Sequence, residues 1–155
     1  MTGRRHNRLM NNDLALHLEI ALRHAPPGLT TTRIPRVDLC VGQGTTDKAP
    51  CLYRSMICFI LQGSKRVAIN DDLLSYDSEH YLISALDLPL SGQILDAEGG
   101  EPYVAVSLVL DPAILADLAA SMPVIRESEQ KGIGITINPM SASLRDTLLR
   151  LLSLL

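Results

Sequence analysis

Aromatic residues are the scarcest class in this 155-residue chain, at 3%, with four tyrosines, one phenylalanine and no tryptophan. Stacking of bases on aromatic side chains is a main source of affinity for single-stranded nucleic acids, so this composition argues against that function. Basic residues are not in excess either, because 17 Asp and Glu outnumber 14 Lys and Arg and leave a net charge of −3. DNA binding depends on clustered cations that displace counterions. We therefore expect no DNA-binding face on this chain itself.

Long hydrophobic runs are also missing, since no stretch approaches the roughly 18 apolar residues of a membrane span. A signal peptide is not expected, because Asp13 and Glu19 interrupt the leucines near the N-terminus and no small-residue cleavage site follows them. Cys40, Cys51 and Cys58 are odd in number and too widely spaced for a CxxC pair. We therefore expect a cytoplasmic protein whose cysteines are small buried side chains, with a reactive or ligand-facing thiol as the alternative.

Histidines are too few and too scattered to predict a metal centre. His17 and His24 are separated by about 10.5 Å along a helix, which is too far for one metal ion. His80 is the only histidine in the predicted sheet, where it follows a turn and is expected to be exposed. No G-x-S-x-G nucleophile motif occurs, and the paired carboxylates fall in turns, where Asp is favoured for local reasons. We therefore expect no catalytic residues, no metal and no cofactor.

The residues that are present predict one globular domain, because 155 residues of which 46% are hydrophobic can bury a core without disulfides. Residues 1–28 predict a basic arm followed by an amphipathic helix that Asn12 or Asp13 caps and "APPG" ends. The apolar positions of this helix are Leu14, Leu18, Ala21 and Leu22.

Residues 33–110 alternate short β-rich runs with turn residues, and no helical pattern comes between them. The stretch "CFILQGSKRVAINDDLLSYDSEHYLIS" by itself predicts four strands joined by tight turns. About eight strands at this spacing are typical of an antiparallel barrel or sandwich. Alternate residues of "MICFILQ" are apolar on both faces, which predicts that one face borders the interior of the sheet structure and the other is covered by a helix.

Residues 111–155 predict two helices joined by the glycine-rich connector "KGIGITINPM". Asp111 is expected to cap the first helix, with Pro112 at its first position. The buried stripe of this helix is expected to consist of Ile114, Leu115 and Leu118.

The last helix, "SASLRDTLLRLLSLL", carries more leucine than one core-facing stripe requires. The helix either covers the sheet, with its surplus leucines buried by residues that follow later in the chain, or forms a helix-to-helix dimer seam. Because the sequence stops at an apolar end without a polar cap, we expect the protein to continue. The seam residues are Leu144, Leu148, Leu151, Leu152 and Leu155.

Four stretches of the chain stand in a characteristic order: "YRSMICFILQGSK", "YDSEHYLIS", "DLPLSGQI" and "EPYVAVSLVLDP". Together they resemble the N-terminal effector domain of AraC-type bacterial transcriptional regulators, over about residues 14–155. The resemblance implies a cupin-like antiparallel β-barrel, also called a double-stranded β-helix or jelly roll, at residues 33–110 with flanking helices. It also implies a domain that senses a small-molecule effector and helps to form a homodimer.

In such regulators a separate C-terminal pair of helix-turn-helix units reads DNA, and we expect that part in a parent protein rather than in this chain. Effector binding is expected to shift the packing of the arm or of the terminal helices. Two alternatives stay open: a free-standing cupin-like binding or dimerisation module, and a metal-dependent cupin enzyme. The enzyme is disfavoured because it would need several histidines in the strands, and only His80 is there.

Effector-binding residues are predicted from the need for a few polar groups within apolar walls. Strand parity decides which side chains face inward, and a slip of one residue would reverse the choice. Lys65 and Arg66 lie beside a hairpin turn and are expected to be solvated. The predicted effector contacts are Tyr53, Cys58, Ser84, Tyr103 and Ser107.

Overall fold

The structure is a computed structural model that describes residues 14–23, 25–95, 99–122 and 134–155. The predicted caps Asn12 and Asp13, the basic arm before them and His24 lie outside the described residues. Residues 14–23 are helical (α1). The elements that follow are β1 (Gly28–Thr31), β2 (Val37–Gly42), β3 (Ala49–Tyr53), β4 (Met56–Gln62), β5 (Ser64–Ile69), β6 (Asp72–Asp77), β7 (His80–Ser84), β8 (Leu88–Leu95), β9 (Tyr103–Val109), α2 (Pro112–Ser121), β10 (Ile135–Pro139) and α3 (Ala142–Leu152).

The strands form two antiparallel sheets. One has six strands in the order β1-β2-β9-β4-β7-β10, and the other has four in the order β3-β8-β5-β6. No strand pairing in the described part of the chain joins the two sheets, so these strands do not close into a barrel, and the cupin-like (jelly-roll) form of the fold stays a prediction. The sequence pattern was compatible with a barrel or a sandwich, and the hydrogen bonds form a sandwich. The physical reason is that alternation of apolar residues specifies a covered face but not whether the sheet edges meet.

The six-stranded sheet is covered on both faces, as the pattern of β4 predicted. Phe59 and Leu61 face the helices, whereas Cys58 and Ile60 lie between the sheets. The helix-side cluster of buried residues is Ala21, Ala25, Val37, Leu39, Val41, Phe59, Leu61, Val104, Val106, Leu148 and Leu152. The molecule thus has three layers: helices, six-stranded sheet and four-stranded sheet.

Helix α3 packs on the six-stranded sheet. Its N-cap is Ser141, whose side chain accepts a hydrogen bond from the backbone N–H of Leu144. Arg145 anchors the helix to the β6–β7 turn, with its guanidinium 3.3 Å from a Glu79 carboxylate oxygen. Leu148 and Leu152 of the predicted seam are buried in this chain's own core, and the other three seam leucines pack partly against it. The covering role is therefore observed, and the dimer role of these leucines stays a prediction.

Helix α2 differs from the prediction in its packing. Asp111 does cap it, since its carboxylate accepts hydrogen bonds from the N–H groups of Ala113 and Ile114. The stripe expected to be buried is exposed, however, at 42% for Ile114, 42% for Leu115 and 53% for Leu118. Helical spacing correctly identified the apolar face of this helix, but it carries no information about which surface lies opposite.

The predicted glycine-rich connector contains a strand that the sequence analysis missed. Strand β10 pairs antiparallel with β7, from Ile135 opposite Ser84 to Pro139 opposite His80. Its "ITIN" core alternates β-branched with polar residues, which is the strand signal that the neighbouring glycines obscured. Residues 111–155 therefore contribute an edge strand as well as helices.

Candidate functional site: a cavity between the two sheets

A cavity of about 430 Å³ lies between the sheets. This volume is within the range of small-molecule sites. Strands β1, β2, β4 and β9 supply one wall, and β3 and β5 supply the opposite wall. Exposed side chains of Leu29, Leu52 and Arg54 mark its rim, and the buried Cys58 and Tyr103 lie at its inner end.

Four of the five predicted effector contacts line this cavity: Tyr53, Cys58, Tyr103 and Ser107. The fifth, Ser84, does not line it. The Ser84 side chain is fully buried on β7, and its hydroxyl donates a hydrogen bond of 2.8 Å to the backbone carbonyl of Leu86. The structure therefore brings four of the residues together, and their contact with an effector stays a prediction.

Strand parity explains why these four residues meet. On β9, Tyr103, Ala105 and Ser107 face the cavity, while Val104 and Val106 belong to the helix-side core. The pairing of β4 with β9 sets Cys58 opposite Ser107, and that of β2 with β9 sets Cys40 opposite Ala105. The lining of this wall is therefore determined by the register of three adjacent strands.

Lys65 also lines the cavity, which contradicts the expectation that it is solvated. Its side chain crosses β8 at Gly92, where a Cβ atom would lie 3.2 Å from Lys65 Cε and 3.2 Å from Cys51 Sγ. The Lys65 ammonium is 5.0 Å from the centroid of the Tyr53 ring, a cation–π distance. Parity with Val67, which is buried on the same strand, was the sequence signal that could have found this position.

The remaining hairpin cation, Arg66, points to the opposite face of β5. Its Nε atom is 3.4 Å from Ser75 Oγ on the neighbouring strand β6. Adjacent residues of one strand therefore place one positive charge inside the sandwich and one outside. A substitution of Arg66 is therefore a suitable control for the same substitution of Lys65, because it removes a positive charge from the other face of the same strand.

Lys65 is cationic at neutral pH although it is largely buried. Desolvation by burial acts to lower its pKa, but Tyr53 and the thiols of Cys58 and Cys51 act to raise it, and the net direction is upward. None of the ion pairs found among the described residues includes Lys65. No carboxylate therefore compensates the hydration that this partly buried ammonium loses, and the contact that the structure gives it is the face of the Tyr53 ring.

Phenol and thiol groups surround this cation. The hydroxyl groups of Tyr53 and Tyr76 are buried, and neither makes a hydrogen bond of normal geometry in the described part of the chain. Burial raises the pKa of Tyr53, of Tyr76 and of the Cys58 thiol, so all three groups are neutral at physiological pH. Of these groups Tyr53 and Cys58 line the cavity, which therefore offers an ammonium together with a neutral hydroxyl and a neutral thiol.

Among the described residues, no histidine lines the cavity, so its serine and cysteines have no histidine base beside them there. In the ranges that the structure describes, no three His, Cys, Asp or Glu side chains come close enough to hold a metal ion. His80 lies elsewhere, with Nδ1 2.9 Å from the Asp77 carboxylate, and this hydrogen bond holds the pKa of Asp77 below its usual range. The arrangement is suited to binding a small molecule.

Residues 33–155 match the family described as the AraC-type transcriptional regulator N-terminus. Because the match covers most of the chain, the chain belongs to this family. The family description is that of a domain of transcriptional regulators. No curated protein matches the sequence. Within the described residues, no helix is long and apolar enough to cross a membrane.

Two solved structures of ToxT from Vibrio cholerae strain SCE256 resemble this fold. An apo variant gives a TM-score of 0.54 at 12% identity and covers 81% of this chain and 49% of that chain. Wild-type ToxT with a bound unsaturated fatty acid gives a TM-score of 0.52 at 9% identity, covering 76% and 45%. The chain thus spans about half the length of the ToxT chains, and at these identities the likeness concerns the fold alone.

Proposed function

We propose that this domain binds a small-molecule effector in the cavity between its sheets and thereby controls DNA binding by a region outside the chain. The observation that carries the proposal is the cavity itself, in which Tyr53, Cys58, Tyr103 and Ser107 meet within apolar walls. Family membership supports a regulatory role. The fatty acid bound to ToxT supports a ligand of low molecular weight in a related fold.

Strand β1 is suited to pass a conformational change from the cavity to the C-terminal end of α3. Its residues Leu29 and Thr31 line the cavity. The link that follows β1 is braced by Thr32, whose hydroxyl donates a hydrogen bond of 2.8 Å to the Val37 carbonyl and accepts one from the N–H of Ile34. A displacement of β1 would therefore move this link as a unit.

The same link contacts the C-terminal end of α3. Arg33 Nε donates a hydrogen bond of 3.1 Å to the backbone carbonyl of Leu154, which lies 121 residues further along the chain. An effector that favours one position of β1 would thus favour one position of the end of α3, by a shift between pre-existing states. This connects the cavity to the point at which a following domain would attach.

Homodimer formation is the second part of the proposal, and it rests on the resemblance. Leu144, Leu151 and Leu155 are only partly buried against the core, so they leave apolar surface for a second copy. Sedimentation velocity of the 155-residue chain across a micromolar concentration series tests this part. A purely monomeric boundary throughout the series would contradict it.

The effector site is tested with palmitoleate, an unsaturated fatty acid, as the first probe of a metabolite panel. Thermal unfolding is measured for the wild type, for Ser107→Phe, which fills the cavity, and for Ser75→Phe, which places the same ring on an exposed position of β6. We expect a binding probe to raise Tm in the wild type and in the Ser75→Phe control but not in Ser107→Phe. A probe effect that persists in Ser107→Phe would place the site elsewhere.

Transmission is tested separately by hydrogen exchange of residues 142–155 with and without a binding probe. We expect the probe to change exchange at the end of α3 in the wild type, and Arg33→Met to remove this change while the probe still binds. Identical responses of the two proteins would rule out the Arg33 route and leave the binding site itself intact.

A further inference from the structure

Lys65 is the one charged side chain that the structure places between Gly92, Cys51 and the Tyr53 ring, away from the exposed rim of the cavity. No carboxylate among the described residues comes within ion-pair distance of it. The adjacent Tyr53 hydroxyl is also buried and has no hydrogen bond of normal geometry. The Lys65 ammonium thus has the Tyr53 side chain beside it and no anion, and the Tyr53 hydroxyl keeps hydrogen-bonding capacity for a ligand.

The charges that line the cavity limit the kind of partner that could satisfy them. They are Lys65, Arg54 and Asp38, two cations and one carboxylate, which sum to one positive charge. Arg54 is exposed at the rim, where solvent screens it, so Lys65 is the cation that a ligand inside the cavity would meet. One negative charge on the ligand would match this single cation, whereas a second would meet Asp38 and, as a further cation of the lining, only the exposed Arg54.

Apolar residues of the lining lie on the wall opposite Lys65 and Tyr53. Met56, Ala105 and Val109 lie along the six-stranded sheet, opposite the strand that carries Tyr53. Such walls favour an apolar body on the ligand, because burying its surface stabilises the complex by about 25 cal/mol per Å². Gly92 completes the arrangement, since it is the absent Cβ atom that lets the Lys65 stem cross β8.

We infer that the effector is a monoanionic amphiphile whose carboxylate binds the Lys65 ammonium and the Tyr53 hydroxyl, with its apolar part against Met56, Ala105 and Val109. This inference rests on the proposed function, because it specifies the chemical class of ligand for the same cavity. A charge-assisted hydrogen bond from a buried ammonium is stronger than a neutral one and selects for a carboxylate.

The test compares octanoate with octanamide, which has the same chain and shape but no charge. Calorimetric titration of the 155-residue chain is carried out with the wild type, Lys65→Met and Arg66→Met. Methionine keeps the length of the stem and removes the charge, and Arg66→Met removes one charge from the outer face of the same strand. We expect the wild type and Arg66→Met to bind octanoate about tenfold more tightly than octanamide, and Lys65→Met to lose this preference.

Equal binding of octanoate and octanamide by the wild type would overturn the carboxylate inference while leaving the cavity as an effector site. A preference that is retained in Lys65→Met would overturn the role of Lys65. Failure of both compounds to bind, together with failure of the neutral members of the metabolite panel, would overturn the proposed function as well. Octyl phosphate serves as the dianionic comparison, and tighter binding of it than of octanoate would contradict a monoanionic ligand.

A second measurement does not depend on the choice of probe. If Lys65 serves a ligand rather than the fold, its removal should cost the fold little, because methionine keeps the stem that crosses Gly92 and no carboxylate loses a partner. We expect the Tm values of Lys65→Met and Arg66→Met to lie within about 2 °C of each other. A Tm of Lys65→Met that falls further below that of Arg66→Met would show that the lysine is a structural residue and would overturn the inference.

Discussion

The two faces of the six-stranded sheet differ sharply, although alternate residues of the same strands make both. Toward the helices, β2 and β9 present Leu39, Val104 and Val106, which are almost fully buried in one close-packed cluster. Toward the four-stranded sheet, β2 presents Asp38 and Cys40, and β9 presents other small or polar side chains, around a cavity. One face is filled by its own chain, and the other leaves space and unsatisfied polar groups.

This contrast separates stability from function within a single sheet. Close packing on the helix side supplies dispersion and hydrophobic stabilisation. The cavity side gives up part of that stabilisation, because its lining includes the Lys65 cation without a carboxylate partner and the Tyr53 hydroxyl without a normal hydrogen bond. Sites that bind ligands commonly carry such costs, which the bound molecule then offsets. Substitutions on the two faces should therefore affect different properties.

The largest expected effect is on the helix side. Leu152→Ala should lower the free energy of unfolding by about 2–5 kcal/mol, because the side chain is 1% exposed and its removal leaves a cavity in the core. Urea denaturation followed by circular dichroism measures the change. Cys40→Ala, on the cavity side of β2, is the control and should change the free energy of unfolding by less than about 1 kcal/mol. Similar losses for both variants would contradict the division between the faces.

An intermediate effect is expected at Gly92, on the four-stranded sheet. Gly92→Ala places a methyl group 3.2 Å from Lys65 Cε and 3.2 Å from Cys51 Sγ, so the lysine stem or the thiol must shift to make room and the position of the ammonium changes. We expect about tenfold weaker octanoate binding, equivalent to about 1.4 kcal/mol, and a smaller change in the free energy of unfolding. Titration of Gly92→Ala, Lys65→Met and the double variant gives a double-mutant cycle. Additive losses would show that Gly92 does not act through Lys65.

The smallest expected effect concerns the thiols. Burial raises the pKa of Cys40, Cys51 and Cys58, so each carries less reactive thiolate at pH 8 than an ordinary cysteine. Alkylation by iodoacetamide should therefore be slow and should become faster as the pH rises through and beyond the ordinary thiol range. Mass spectrometry should find Cys58, the most buried, modified last. Rapid modification of Cys58 at pH 7 would contradict this assignment.

Much of the architecture could be predicted from local patterns. Apolar alternation placed eight strands between residues 33 and 110, where the structure has β2 to β9, and Asp111 was recognised as a cap. Strand β10 was missed, because Gly132 and Gly134 outweighed a short β-branched run. The burial expected for Ile114, Leu115 and Leu118 of α2 is contradicted, because helical spacing does not specify which surface lies opposite.

The candidate site was predicted less completely than the fold. Parity along β9 and β4 led to Tyr103, Ser107 and Cys58, because alternation is a property of the strand itself. Ser84 lies outside the cavity lining, and its hydroxyl is already used by the Leu86 carbonyl, which alternation along β7 does not reveal. Lys65 was left out because proximity to a turn suggested solvation, although its parity with Val67 pointed inward.

The sequence by itself determined the family, the succession of strands and helices, and which residues of each strand share a face. These properties follow from backbone periodicity and from short-range preferences, which each segment carries alone. Only the tertiary structure decided that the sheets form a sandwich, that Lys65 crosses Gly92 to reach Tyr53, and that Arg33 meets the end of α3. Such contacts join segments far apart in the chain, and their geometry depends on register and sheet packing, which no local pattern specifies.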